Sequence, residues 1–477
     1  MRAINMWNKI LLTFGVTLIV VGLVLLFCFS SLVTLILNNS LTLSANSKAF
    51  EEWRKTRPIP MDMYFFNWTN PDDIYNPDIK PNFEEVGPYK LFHVREKVNI
   101  TWNDNDTVTY KHLLSYYYDD NSPSNLSDVI TTIDMVALSM AQRTKDSFFF
   151  VKNPVKLALM FSNIYVRKTA RELMSGYETS IMAAANALNF VTGENAPDKF
   201  GYLYAANQTI GFDGTYNVRN TVGDDFGALK NWNYNNFTLF YEGQCGKING
   251  SAGELYPQNL KPDHITFFSA DLCRPLEFTF EENQTVEGIP SYKYSAKDAV
   301  FDNGTLVTRN KCFCTGRCFP SGVLDNSACR SGVPLFSSLP HFYYADEFYR
   351  NKIDGMKPDK DKHEFYFTFE PNIGIVTSTA ARLQVNVWLE PLEDFQLYKN
   401  VPELMIPIFW TQQQVVLYEE HVANVKLFLI SPTISKISSL VMIVVGLVCI
   451  GYVLVILYLN ERRVTKSKLW KNEIALK

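Results

Sequence analysis

Six of the eight cysteines in this 477-residue chain fall in one stretch, residues 245–329: Cys245, Cys273, Cys312, Cys314, Cys318 and Cys329. Thiols crowded in this way do one of two kinds of chemistry. In an oxidising compartment they join as disulfides, and in a reducing one they ligate zinc as thiolates. Zinc sites favour Cys-x2–4-Cys pairs and reduced thiols, so the even, clustered set is read here as three disulfides and no metal site is expected. Spacing alone leaves 15 pairings of six cysteines open.

The compartment follows from a second pattern. Asn-x-Ser/Thr with no proline at x occurs at Asn67, Asn99, Asn105, Asn125, Asn207, Asn236, Asn249, Asn283 and Asn303. One such sequon arises easily by chance, but nine in one region point to a glycosylated lumenal or extracellular domain. Asn38 forms a tenth beside an apolar run, too close to a membrane to be modified. No catalytic constellation accompanies these residues. A nucleophile elbow, a phosphate loop and a His-Glu-x-x-His pair are all missing, and His93, His112, His264, His341, His363 and His421 are scattered. The Asn103–Asp106 run lacks the glycine and glutamate of a calcium loop. The chain is therefore not read as an enzyme, and no cofactor is expected.

One charged cluster could bind. Between Arg143 and Arg171 lie Arg143, Lys145, Lys152, Lys156, Arg167, Lys168 and Arg171 against a single acid, Asp146. The chain carries 45 basic and 49 acidic residues; removing the eight basic and two acidic ones of the two tails leaves 37 against 47, a balance of minus 10. That overall field repels polyanions, which argues against nucleic acid, while the local excess suits an anionic partner. The competing reading is a solvated charged face.

The elements that must position these residues begin at the chain's ends. Uncharged apolar runs at Ile10–Leu37 and Ile437–Leu459 are each long enough to span a bilayer, and a cleaved leader is the less favoured reading of the first because its apolar stretch is too long. The organisation expected is a tail over 1–9, a span over 10–37, an ectodomain over 38–436, a second span over 437–459 and a tail over 460–477. Arg462, Arg463, Lys466, Lys468, Lys471 and Lys477 favour a cytosolic second tail, so both tails are placed in the cytosol. Alternation in Tyr110–Tyr118, Glu364–Phe369 and Leu383–Leu389 predicts strands. Asn153-Pro154 reads as the start of a helix and Ser175-Gly176 as a stop, with a second Ala-rich segment at Ile181–Leu188, so a helical region is expected over about 148–190.

Several segments are similar to one family. Asn76-Pro77, Glu85-Val86-Gly87-Pro88-Tyr89, Phe267-Phe268-Ser269-Ala270-Asp271-Leu272-Cys273-Arg274, Lys311-Cys312-Phe313-Cys314, Ser338-Leu339-Pro340-His341-Phe342, Ile353-Asp354-Gly355, Arg382-Leu383-Gln384-Val385-Asn386 and Pro407-Ile408-Phe409-Trp410 resemble, in order, the class B scavenger receptors. Members of that family include a fatty acid translocase, a lysosomal membrane protein and insect phagocyte and sensory-neuron proteins. The resemblance implies a membrane-anchored α+β protein: an antiparallel β-barrel core, an apical helical bundle and an apolar tunnel, flanked by two transmembrane helices. It implies the pairs Cys245–Cys312, Cys273–Cys329 and Cys314–Cys318, the last across a loop shorter than usual.

The same resemblance implies a cell-surface receptor that binds lipoproteins, anionic lipids or other hydrophobic ligands at the apex and passes lipid through the tunnel. Fatty acids, sterols, carotenoids, pheromones and membrane lipids are the partners it suggests. The alternative is a phagocytic or chemosensory co-receptor that presents ligand to another receptor. The lysine that some members use for capture faces apolar Leu159 to Phe161 here, so Lys152 and Lys156 stand in for it, with Arg167, Lys168 and Arg171 beside them. The tail lacks an acidic dileucine signal, which favours the plasma membrane over an endolysosomal one.

Overall fold

A computed structural model describes residues 5–54, 57–182, 198–330 and 332–475. Two compact units divide the chain, residues 42–417 and a pair of terminal segments, 1–41 with 418–477. The terminal unit consists of helix α1 (Met6–Leu41) and a long C-terminal helix (Glu419–Ala475), each with a stretch long and apolar enough to cross a membrane. Both helices run past the apolar spans at 10–37 and 437–459, because the polar flanks contain no glycine and only Pro432 to interrupt them. Small residues make their contact. A Cβ on Gly15 would meet the Gly446 carbonyl oxygen at 2.9 Å, and one on Gly22 would meet the Ser439 carbonyl at 2.9 Å. Close backbone approach through such residues is how apolar helices pack where lipid offers no hydrophobic drive.

The larger unit is built on period-2 sequence. Its main sheet runs β7 (Leu229–Trp232), β6 (Thr209–Arg219), β3 (Thr107–Tyr118), β2 (Phe83–Asn103), β1 (Ile59–Trp68), β15 (Leu404–Val416), β14 (Ile375–Leu389), β13 (Tyr366–Glu370), β10 (Ile289–Ser295), β9 (Arg274–Val286) and β8 (His264–Ser269). Two short strands extend it sideways, β12 (Leu335–Ser338) on β14 and β11 (Val323–Asp325) on β12. Every strand pairing is antiparallel.

The open edges β7 and β8 would otherwise expose unpaired backbone. Ser251 stitches them: it bridges Ala228 beyond one edge and Phe267 on the other, with Ser251 N donating to Thr266 O at 3.0 Å and Leu229 N to Gly250 O at 2.9 Å. The sheet is thereby nearly closed into a barrel.

The main core gathers Met63, Phe65, Phe66 and Trp68 of β1 with Ile406 and Ile408 of β15, and it continues into helical side chains. Gly355, in the family-like Ile353-Asp354-Gly355, sits at φ +97° where a Cβ would run into the Phe83 carbonyl oxygen. Only glycine fits there.

Disulfides join Cys245 to Cys312, Cys273 to Cys329 and Cys314 to Cys318, at Cα separations of 5.7, 6.4 and 5.3 Å. These are the pairs that the resemblance implies. They use up all six thiols of the 245–329 stretch, leaving none for zinc.

The helical region differs from its sequence reading. Beyond the short α2 (Lys48–Arg54), it comprises α3 (Met135–Thr144), α4 (Phe149–Leu159) and α5 (Ala170–Ser175), braced by a two-stranded sheet of β4 (Val129–Ile133) and β5 (Tyr165–Thr169). Asn153-Pro154 does not start a helix: α4 begins at Phe149 and carries Pro154 inside it. A proline there removes one N–H bond. Burial of Val155 and Leu159 in the main core stabilises the helix despite that loss. Gly176, at φ +107°, does stop a helix, but it is the short α5, whose other end is closed by a Thr169–Glu172 capping box. The Ala-rich segment at Ile181–Leu188 falls outside the described residues after Met182.

Candidate functional site

The predicted ligand-facing residues divide into two groups. Lys152 and Lys156, one turn apart on α4, end on the two oxygens of one carboxylate: Lys152 Nζ is 2.7 Å from Asp394 Oδ2 and Lys156 Nζ 2.7 Å from Asp394 Oδ1. Hydrogen bonds from Lys152 and then Lys156 hold the Asp394 carboxyl down to about 2. Lys145 reaches Glu390 of the same β14–β15 connection at 3.3 Å. Burial pushes Glu390 up, but hydrogen bonds from Gln142 and Trp388 and the Lys145 charge leave it below the usual carboxylate range.

The second group sits on β5 and α5. Arg167 lies over the Tyr165 ring at 5.3 Å, Arg171 over the Tyr118 ring at 5.0 Å, and Lys168 over Tyr177 at 4.8 Å while pairing with Glu172 at 3.4 Å. Arg167 and Lys168 are thus strand residues, on opposite faces, rather than helical ones.

Two of these expectations fail. Leu159, offered as a ligand contact, is 2% exposed and packs in the main core, because it shares a helical face with Val155. The isolated plus six does not survive folding either, since Asp394, Glu390 and Glu172 partner four of the seven cations. Phe161 is 86% exposed just beyond α4.

Its neighbours were missed. Phe148, Phe149, Phe150, Leu157 and Met160 are exposed as well, so α4 presents an apolar crown. Three consecutive phenylalanines carried a signal for this. Residues 100° apart on a helix cannot all face one core.

Of the nine sequons, Asn99, Asn105, Asn125, Asn207, Asn236, Asn249 and Asn283 are exposed and Asn67 is half-buried with its Oδ1 accepting from Thr131 N. Asn303 is a correction: it is 6% exposed, and Nδ2, the atom a glycan would occupy, donates to Val323 O at 2.8 Å. Asn99 borders a cleft of about 400 Å³ lined by Phe50, Arg54, Lys97, Ile100 and Trp102. Lys97 there is buried and paired with Glu254 at 2.9 Å.

The family-like segments meet at one polar cluster, in which His341 and His363 are buried while the Glu85 side chain stays 34% exposed. Glu85 accepts from Trp410 Nε1 at 2.7 Å and from His341 Nε2 at 2.6 Å. His341 N donates to Gln384 Oε1 at 2.7 Å, Gln384 Nε2 to Asn386 Oδ1 at 2.6 Å, and Asn386 Nδ2 to Ser338 Oγ at 3.0 Å. His363 stacks on His341 at 4.5 Å. Glu85, His341 and His363 have the residue types of a metal site. Their protons exclude it. Each histidine accepts a backbone N–H at Nδ1, from Lys357 and Asp359, so its own proton must sit on Nε2, the atom a metal would need. The cluster is a hydrogen-bond clamp.

Two helices long and apolar enough to cross a membrane and a nearly closed antiparallel barrel define a membrane-anchored α+β protein. The chain belongs to the CD36 family, whose family model matches residues 13–457. It is similar to Protein peste of Drosophila melanogaster, 35% identical over 449 residues that cover 91% of this chain and 80% of the relative. It is also similar to two proteins of Rattus norvegicus. Lysosome membrane protein 2 is 30% identical over 88% of this chain and 87% of the relative, and Scavenger receptor class B member 1 is 30% identical over 84% and 79%.

Proposed function

We propose that this protein is a class B scavenger receptor of the plasma membrane, with both tails cytosolic, that captures lipoproteins or anionic lipid surfaces on α4 and passes lipid through the barrel interior to the bilayer. The observation that carries capture is the apolar crown of Phe148, Phe149, Phe150, Leu157, Met160 and Phe161. Burying such surface against lipid releases ~25 cal/mol per Å². Arg167 and Arg171, with no carboxylate partner among their described ion pairs, add attraction for anionic headgroups.

Passage through the barrel is the second step of this reading. A lipid crossing water loses ~0.8 kcal/mol per CH2 exposed, a loss that a covered path avoids. The name of the rat class B member 1 protein supports the receptor class, and that of the lysosomal relative keeps an endolysosomal membrane as the alternative address.

The test is capture of fluorescent vesicles, phosphatidylcholine with or without phosphatidylserine, by cells displaying the full chain. Phe149→Ser with Phe161→Ser should reduce capture about tenfold at equal surface display. Undiminished capture would remove α4 as the binding surface.

A further inference from the structure

A second exposed apolar patch follows β7. Tyr234 is 75% exposed, Phe237 47% and Leu239 90%. Its backbone is ordered: Trp232 N donates to Asn235 O at 2.9 Å and Asn235 N to Trp232 O at 3.1 Å, with Asn233 and Tyr234 at φ +51° and +65°. Two positive-φ residues between such bonds make a type I′ hairpin turn. The next residues are clamped too, Ile248 N to Asn236 O at 3.1 Å and Thr238 N to Gly246 O at 2.7 Å. The structure thus holds three large apolar side chains in water on a fixed frame, where they cost free energy unless covered.

A sequon occupies the middle of this patch, Asn236-Phe237-Thr238, and Asn236 is exposed. Thr238 supplies an independent sign. Its Oγ1 is buried with no hydrogen-bond partner, so the folded chain gains nothing from the hydroxyl that a valine of the same shape would not provide. Glycosyl transfer does read that hydroxyl, on the chain before it folds. Tyr234 stands two residues before Asn236, in the turn that leads into it, and both residues are exposed.

We propose that Asn236 carries an N-glycan whose first N-acetylglucosamine packs its C–H face on the Tyr234 ring, so that carbohydrate rather than a protein covers this patch. In the attachment, Asn236 Nδ2 forms a bond to C1 of the sugar of a lipid-linked oligosaccharide diphosphate. The C1–O bond breaks, the lipid diphosphate leaves with its electron pair, and Nδ2 gives up one proton. Packing then follows from the polarised C–H bonds of the pyranose meeting the electron-rich face of the ring. The inference rests on the lumenal placement of the ectodomain.

The experiment uses the full chain from glycosylating cells, purified in detergent, as wild type, Asn236→Gln, Thr238→Val, Tyr234→Ser and the Tyr234→Ser/Asn236→Gln double variant. Glycopeptide mapping should find Asn236 occupied in wild type and empty in Asn236→Gln and Thr238→Val. Each of these and Tyr234→Ser should lower the thermal midpoint by about 1–3 °C. The double variant should lose no more than the larger single loss, because each change removes the same contact. Additive losses, or an unoccupied Asn236 beside occupied Asn99 and Asn283, would overturn the packing while leaving the lumenal placement intact. Absence of glycan at every sequon would overturn both.

Discussion

Lys152 Nζ lies 2.7 Å from Asp394 Oδ2, tying α4 to a residue 242 positions further along the chain. Lys156 takes the other oxygen of the same carboxylate, so one aspartate offsets two of the cations that a lipid headgroup would meet. Asp394→Asn should therefore increase capture of phosphatidylserine-containing vesicles about two- to fivefold at low salt. The gain should fade toward 1 M salt, where the screening length drops to ~3 Å. Phosphatidylcholine vesicles should bind as before. Unchanged capture of the anionic vesicles would mean that the lysines do not contribute. Reversing Lys152 and Lys156 to glutamate is a poorer probe, since it crowds three carboxylates together.

Leu159 and Phe161, two residues apart, should respond in opposite ways. Leu159 is buried among core residues, and Leu159→Ala should destabilise the protein by ~2–4 kcal/mol, read as a lower thermal midpoint and weaker surface delivery. Phe161→Ser should stay within about 0.5 kcal/mol of wild type because the ring is solvated. Its loss should appear in vesicle capture alone. A stable Leu159→Ala protein would mean that α4 is not anchored as described.

Part of the barrel was legible where its strands alternate, whereas the first seven residues of β15, Leu404–Trp410, are all buried and show no alternation. Tyr110–Tyr118 falls inside β3 and Leu383–Leu389 inside β14. The α4 boundary was not legible, since Asn153-Pro154 is a strong local start signal that core burial of Val155 and Leu159 overrides. Charge pairing was invisible for a different reason. Asp394 lies 238 residues from Lys156, and only the docking of the β14–β15 connection beside α4 brings them together. The same holds for Glu85, His341 and Trp410: each sits in a family-like segment, yet their convergence is a property of strand order. Asn303 matches a sequon as well as Asn283 does, and only burial separates them.

Acidification should weaken the fold. Burial depresses His363 to about 4, with the neighbouring His341 and Arg382 also lowering it, against the pull of Glu85 and Asp359. Burial, then Arg95 and His112, depresses His93 to about 3, opposed by Asp213. Both rings are neutral in the folded protein near pH 6.5, where half the unfolded chains' rings already carry a proton. The stability they contribute is present above pH ~6.5 and is lost as pH falls through their folded values. Between pH 7 and 5 the loss should be roughly 1–2 kcal/mol for each ring, and His363→Gln should flatten the pH dependence of the thermal midpoint. A midpoint that rises on acidification in this range would contradict the assignment.

The Glu85 clamp offers the sharpest separation of charge from hydrogen bonding. Burial raises the Glu85 carboxyl, but hydrogen bonds from His341 and Trp410 outweigh it and leave the group below its ordinary range. The Trp410 ring is fixed in turn by Tyr64, stacked on it with centroids 4.0 Å apart. Glu85→Ala removes the acceptor for two donors, each costing ~1–3 kcal/mol when left unpaired, so a loss of about 2–5 kcal/mol is expected together with retention of the chain inside the cell. Glu85→Gln keeps one side-chain oxygen for the donors and loses only the charge assistance, which should restore more than half of that stability and most surface delivery. His341→Phe would then cost less in the Ala background than in wild type, because its partner is already gone. Equal damage from Gln and Ala would show that the negative charge, rather than the accepted hydrogen bonds, holds β2, β15 and the Ser338–Phe342 segment together.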